Sequence, residues 1–127
     1  MNYSIQKRVA GTFAEAVEKT KAALATEGFG VLTEIDVAAT MKKKLDVEYE
    51  NYVILGACNP TLAHQALQAE KEIGLFLPCN VIVYEHEGGV VVSAIRPTTA
   101  MSMVSNEWLG GIAREAEKRL RAAVESI

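Results

Sequence analysis

The sequence has little of what defines several large classes of proteins. It contains two cysteines in 127 residues, too few for a disulfide-rich secreted scaffold. No apolar run approaches the roughly 20 residues that a membrane-spanning helix needs. Residues 1–6 lack the charged-then-apolar order of a signal peptide. We therefore expect a cytoplasmic protein with no membrane partner.

An excess of charge of either sign is also missing. Lys and Arg number 13 and Asp and Glu number 16, which leaves a formal net charge of −3. A mildly acidic chain is a poor match for nucleic acid, so we expect no nucleic-acid partner. Half of the residues are hydrophobic, and the length suits one domain over residues 1–127 with its own core.

The motifs that identify common active sites are absent as well. The chain has no phosphate-binding loop, no dinucleotide fingerprint, no nucleophile elbow and no HExxH zinc motif. It also lacks a C-x-x-C pair, a Cys₄ spacing and a histidine pair at metal-ligand distance. The sequence therefore assigns no catalytic residue, no cofactor and no metal centre. It leaves open whether the protein is an enzyme.

Hydrophobic periodicity and turn residues predict nine elements in the order strand, helix, strand, short helix, strand, helix, strand, strand, helix. The first helix follows a capping box formed by Thr12 and Glu15. The third helix should begin at Pro60 and reach about Ile73, and Gly88-Gly89 should form the turn of a hairpin. The strands are expected at 3–9, 30–37, 52–58, 79–85 and 90–95, and the helices at 13–27, 38–45, 60–73 and from about 105.

This order predicts an α+β fold, a two-layer sandwich of about five mainly antiparallel strands with helices on one face. Strand 52–58 is apolar and should be central. The sheet face without helices needs a cover, and a second copy of the chain would supply it, so we expect a two-fold homodimer that covers this face or extends the sheet. The residues that are candidates for either face are Val31, Ile35, Val81, Val83 and Val91.

Two similar motifs are the most informative feature. Cys58-Asn59-Pro60 and Cys79-Asn80 each place a Cys-Asn pair at the boundary of an element, and they bracket one predicted helix. If the chain returns along that helix, both cysteines line one edge of the sheet. They would then form a redox-active disulfide, supply two soft metal ligands, or simply pack. A thiolate at Cys58 would gain from the nearby helix N-terminus.

Glu70 is a second anomaly, since it falls within the apolar arc of the third helix. A carboxylate there must be paired or neutralised, by a ligand, by another element or by a dimer partner. Met101 and Met103 would offer thioethers to a soft metal, but methionines beside a helix usually belong to the core. We expect the core role for them.

At these residues the chain resembles the domain of unknown function 302 family, nearly end to end. The similar stretches are 27–37, 54–60, Glu70 with Ile73-Gly74, and 77–81. The resemblance implies a two-layer fold of the TATA-binding-protein-like class, strand-helix-four strands-helix, which is usually dimeric. It assigns no biochemical role and does not imply DNA binding, because a fold does not fix a function.

Together these features predict a homodimer that binds a small ligand. The site would be formed by Cys58, Asn59, Pro60, Cys79, Asn80 and Glu70. The first alternative is a thiol-based redox or soft-metal protein that uses Cys58 and Cys79. The second is a structural interaction module, which predicts no pocket at these residues.

Overall fold

A five-stranded sheet carries the fold in the computed structural model, which describes residues 2–127. Its strands are β1 (Ser4–Val9), β2 (Gly30–Asp36), β3 (Tyr52–Cys58), β4 (Cys79–His86) and β5 (Gly89–Ile95). The helices are α1 (Phe13–Thr26), α2 (Val37–Leu45), α3 (Pro60–Ala69), α4 (Pro97–Ala100) and α5 (Glu107–Glu125), with a 3₁₀ helix at Lys71–Phe76. The strand order is β1-β5-β4-β3-β2, and every neighbouring pair is antiparallel. The α+β sandwich predicted from the sequence is confirmed.

Helix α1 begins where its capping box places it. The Glu15 amide donates to the Thr12 hydroxyl at 3.1 Å, and the Thr12 amide donates to the Glu15 carboxylate at 2.8 Å. Both bonds satisfy amides that an uncapped first turn leaves without partners. They also lower the pKa of Glu15. Since all of this is encoded within four residues, the start of α1 was predictable from the sequence.

One face of the sheet lies under α1 and α5. Leu55, Val81, Val83 and Val92 on this covered face are fully buried. They pack in one cluster with small and branched side chains of the two helices, which are Ala16, Val17, Ala23, Leu24, Leu120, Ala123 and Val124. A second cluster joins α3, the 3₁₀ helix and the start of α5. Of the residues that were candidates for either face, Val81 and Val83 belong to the covered face.

The other face carries no helix of the main core, and we call it the open face. Register places Ile54 opposite both Ile35 and Ile82, so the three isoleucines lie side by side on it. Tyr52 and Tyr84 stack there with ring centroids 5.4 Å apart. Ile35 is 48% exposed. The sequence-based expectation of an apolar face without helices therefore describes the outer side of β2, β3 and β4.

Two expectations about the strands were wrong. The middle strand of the sheet is β4, and β3 is second from the edge. In β2, strict alternation predicted Val31 and Ile35 on one side, but the register shifts between Val31 and Thr33. This bulge leaves Leu32 as an extra residue, so Val31 packs on the core while Thr33 and Ile35 face the open side.

The third helix is shorter than its periodicity predicted. It ends at Ala69, because Glu70 is extended with φ −151° and ψ 107°. The side-chain amide of Asn106 donates a hydrogen bond to the Ala69 carbonyl at 2.8 Å, which satisfies one carbonyl at the end of the helix. The chain then continues as the 3₁₀ helix, so Gly74 lies inside that turn and does not end α3. The bond comes from a residue far along the chain, so local pattern could not reveal it.

The hairpin between β4 and β5 forms one residue earlier than predicted. His86 pairs with Gly89, so Glu87 and Gly88 are the two turn residues. Both have positive φ, 51° and 76°, which a tight two-residue turn of this hand requires. Glu87 thus takes a left-handed position where the sequence suggested glycine. None of the helices within residues 2–127 combines the length and apolarity that a membrane span requires.

Candidate functional site

The two Cys-Asn motifs meet at one end of the sheet. Cys58 is the last residue of β3 and Cys79 is the first of β4. Register pairs Cys79 with Ala57, so Cys58 lies one residue beyond the partner of Cys79. Neither cysteine forms a disulfide. The hairpin-like return around α3 therefore brings together the two residues that the sequence singled out.

Gly56 permits the close approach of chains at this point. A Cβ on Gly56 would overlap the hydroxyl of Thr33 and lie 2.8 Å from the ring of Pro78. Pro78 immediately precedes Cys79, and the peptide bond between Leu77 and Pro78 is cis. The first glycine of the Gly56-to-Pro60 motif is thus a packing requirement of the strand that carries Cys58.

Asn59 fixes the start of α3. Its side-chain oxygen accepts a hydrogen bond from the Leu62 amide at 3.2 Å, and Pro60 occupies the first turn. Asn59 is buried, and its amide nitrogen lies close to Gly28, where a Cβ would come within 2.9 Å. Gly28 also has a φ of +82°, so it serves both the turn after α1 and the space for Asn59.

A small apolar cavity lies beside the two cysteines, at the seam between the two hydrophobic clusters. Its volume is about 30 Å³. We call it the thiol cavity, and its lining is Phe29, Ala57, Cys58, Asn59, Leu62, Ala63, Ala66, Leu77, Pro78, Cys79, Met101, Ile112, Ala113 and Ala116. A single water needs about 10–15 Å³ by this measure, whereas pockets for organic ligands are about 300–1,000 Å³. In this conformation the thiol cavity therefore has room for an occupant of atomic or few-atom size.

Alanines on two helices leave this space. Ala63 and Ala66 stand three residues apart on α3, and Ala113 and Ala116 repeat the spacing on α5. Residues three apart share a helix face, so each helix presents two methyl groups to the cavity. Larger side chains at these positions would close it. The alanine pairs are visible in the sequence. Only the packing of α3 on α5 shows that they face a common cavity.

The two thiols differ in environment. Cys58 is half-buried, whereas Cys79 is 8% exposed. Burial, and secondarily the nearby Cys58, raises the pKa of the Cys79 thiol to about 11. Cys79 is therefore protonated at neutral pH and is a poor nucleophile by itself. Of the pair, Cys58 is the thiol that a reagent from solvent reaches first.

The other predicted site residues lie elsewhere. Pro60 is exposed and belongs to the first turn of α3. Asn80 pairs with Gly56, points to the open face and is exposed. The Glu70 carboxylate accepts a hydrogen bond from the Asn106 side-chain amide at 3.3 Å, and Glu70 is not part of the cavity wall. The cavity thus unites Cys58, Asn59 and Cys79 from the predicted set.

Sequence reasoning missed the wall that α5 and the segment before it contribute. Met101 is buried and lines the cavity, as do Ile112 and two of the alanines. Met101 and Met103 were both expected in the core. Met101 is part of the second hydrophobic cluster, whereas Met103 is 77% exposed, so the expectation was wrong for Met103. Within residues 2–127, His, Cys, Asp and Glu side chains form no group of three or more that is arranged to hold a metal.

Comparison with known proteins agrees with this fold. Residues 5–127 match the family described as "Domain of unknown function DUF302". The crystal structure of an uncharacterized conserved protein DUF302 from Bacillus stearothermophilus is similar, with 31% sequence identity and a TM-score of 0.92. The alignment covers 98% of each chain. No curated protein matches the sequence.

Proposed function

The chain belongs to the DUF302 family of domains of unknown function, and we propose that within this fold it binds a small ligand in the thiol cavity as a homodimer. The observation that carries the proposal is the cavity itself. Cys58 and Cys79, from separate motifs, are among the residues that line it, and four alanines of α3 and α5 leave the space open. A chain that needed these residues only for packing would gain about 0.8 kcal/mol for each further methylene that filled the gap.

The polarity of the residues that line the cavity indicates the polarity of the ligand. Apart from Asn59 and the two thiols, the lining residues are apolar, and the Asn59 side-chain oxygen is already used by α3. The ligand therefore gains mainly by losing water. Free thiols also fit the reducing cytoplasm, which is where we place the protein.

The open face supports the homodimer. Ile35, Ile54 and Ile82 form an apolar stripe, and the stacked Tyr52–Tyr84 pair extends it. Soluble monomers rarely leave contiguous apolar patches of more than a few hundred Å² in water. A two-fold axis through the stripe would bury the same surface on both copies.

Native mass spectrometry of freshly purified protein tests ligand binding. We expect the wild-type chain to retain an additional mass, which Ala63→Met removes because the longer side chain fills the cavity. His64→Met is the matched control, since His64 is the next residue on α3 and is exposed. A wild-type chain at its bare mass, or an additional mass kept by Ala63→Met, contradicts the proposal.

Sedimentation velocity tests the homodimer. We expect the wild type to sediment at twice 13.8 kDa at micromolar concentration and Ile82→Glu to sediment as a monomer. The glutamate would place two charges in the centre of the apolar stripe. Gln65→Glu is the control, because Gln65 is exposed on α3 and does not belong to the open face. A wild type that sediments as a monomer contradicts the proposed dimer and does not affect the proposal of ligand binding.

A further inference from the structure

A groove lies on the surface where the end of α3 meets the start of α5. Gln65, Gln68 and Ala69 line it from α3, and Trp108 and Ile112 line it from α5. Residues three or four apart share one face of a helix, so each helix turns one face towards the groove. We call it the indole groove. Its volume is about 540 Å³, within the range of about 300–1,000 Å³ for pockets that hold organic ligands.

One side chain holds the two walls of the indole groove together. The side-chain amide of Asn106 donates a hydrogen bond to the carbonyl of Ala69, the last residue of α3, at 2.8 Å. The side-chain oxygen of Asn106 accepts a hydrogen bond from the backbone amide of Trp108 at 3.0 Å. Because the fold already fixes both walls, a ligand does not have to order them when it binds.

Trp108 contributes to neither hydrophobic cluster and is 79% exposed. Gly110 and Gly111 follow it, although glycine weakens a helix. Within residues 2–127, a Cβ at either glycine would come within 4 Å only of the end of the Arg114 side chain, so no close approach of another element explains the pair. Gly111 lies one turn from Trp108 and leaves the space beside the indole ring open.

We infer that the indole groove binds an uncharged nucleobase or nucleoside, whose ring stacks on Trp108 and whose edge hydrogen-bonds to Gln65 and Gln68. Stacking on an aromatic side chain suits every base, because every base has a flat face. A glutamine amide carries both a donor and an acceptor, and it can pair with N6 and N7 of adenine at the same time. The inference goes beyond the proposed function, because this groove is separate from the thiol cavity.

Charge and hydrogen bonding argue against other classes of ligand. Among the described residues that line the groove none is charged, so nucleotides and nucleic acids lack the cations that bind their phosphates. A wholly apolar ligand would strip water from two amides without replacing its hydrogen bonds. Quaternary ammonium ligands are held by cages of several aromatic rings, whereas Trp108 is the one aromatic residue of this lining.

Intrinsic fluorescence tests the inference, since the sequence contains one tryptophan and its emission reports on the indole groove alone. Titration of the wild-type chain with adenosine should change the emission of Trp108 and reach saturation. Calorimetry should give one adenosine per chain. Adenosine monophosphate should bind no more tightly than adenosine, because the groove offers no cation to its phosphate.

Substitutions in the groove should weaken adenosine binding, as measured by calorimetry. Trp108→Ala should weaken it at least about fivefold, the low end for loss of a stacking partner. Gln65→Leu and Gln68→Leu should each weaken it about fivefold, the low end for loss of a glutamine contact to a base. His64→Leu is the matched control, since His64 is exposed on α3 and does not line the groove. Circular dichroism confirms that each variant is folded.

Four results overturn the inference. They are no binding of adenosine, equal affinity in Trp108→Ala and the wild type, tighter binding of the monophosphate, and binding of methyl glucoside in place of adenosine. Ala63→Met separates the two sites, because Ala63 lines the thiol cavity and not the indole groove. Adenosine should bind this variant as it binds the wild type, so failure of either proposal can be recognised without the other.

Discussion

The two faces of the sheet use the same strands for opposite purposes. On β3, Leu55 is completely buried under the helices, whereas Ile54 next to it is half-buried on the open face. The covered face is complete within one chain. The open face presents similar apolar side chains with nothing from the main core above them. The comparison teaches that alternating branched residues on β3 encode two surfaces, one that packs under the helices and one that stays open within a single chain.

Truncation of Leu55 and of Ile54 should give the largest difference in stability between the two faces. Leu55→Ala should lower the free energy of unfolding by about 2–5 kcal/mol, because it leaves a cavity in a fully packed core. Ile54→Ala should cost about 1 kcal/mol in dilute solution, and its cost should grow with protein concentration if a second copy covers it. Urea unfolding at two concentrations measures both. Equal, concentration-independent losses would abolish the distinction between the faces.

Features that depend on residues near one another in the sequence were predictable, and features that depend on distant residues were not. The start of α1 is encoded by Thr12 and Glu15, so periodicity and capping located it. The end of α3 depends on Asn106, 37 residues beyond Ala69, so the sequence predicted a helix that is too long. The cysteines and Asn59 were found because a motif marks them. Met101 and Ile112 were missed because only the packing of α5 on α3 brings them to the site.

The covered face should also make stability depend on pH. Cys79 has an ordinary pKa of 9.0 when unfolded and a pKa of about 11 in the buried site. Between these values the folded chain holds more protons than the unfolded chain, so its stability falls as pH rises. The contribution is full below pH 9 and is lost through pH 11, a change of about 3 kcal/mol at about 1.4 kcal/mol per unit.

Urea unfolding at pH 8 and at pH 11 measures this difference. Cys79→Ala should lose the part of the pH dependence that the thiol contributes. Subtracting the change in its free energy of unfolding from that of the wild type removes the contribution of titrating lysines and tyrosines. Cys58→Ala should keep most of the pH dependence, because burial raises the pKa of Cys79 more than the nearby Cys58 does. A Cys79→Ala variant with the wild-type slope would show that Cys79 is not buried in solution.

Gly56 tests a crowded place on the open face. Gly56→Ala should cost about 1–3 kcal/mol, because the added methyl meets the Thr33 hydroxyl and the Pro78 ring. Gly30→Ala on β2 is the control, since no atom lies within 4 Å of its Cβ position, and it should cost little. The double variant Gly56→Ala with Thr33→Ala should recover part of the loss. An unchanged free energy of unfolding in Gly56→Ala would contradict the close packing of Gly56 against Thr33 and Pro78.

The smallest effect should come from Asn59, which follows β3 at the end of the sheet. Asn59→Ala removes the hydrogen bond to the Leu62 amide and should lower the free energy of unfolding by about 1 kcal/mol. Asp36→Ala removes the equivalent bond to the Ala39 amide of the exposed helix α2, and there the change should be smaller.

The two caps also differ in what lies beside them. Loosening α3 should expose Cys58 and Cys79, so iodoacetamide should label both faster in Asn59→Ala than in the wild type. Asp36→Ala should leave both rates unchanged, because α2 is not part of the thiol cavity. In the wild type we expect Cys58 to react before Cys79, in the order of their exposure. If Cys58 remains unlabelled until the protein unfolds, the cavity is closed to solvent and both thiols are packing residues.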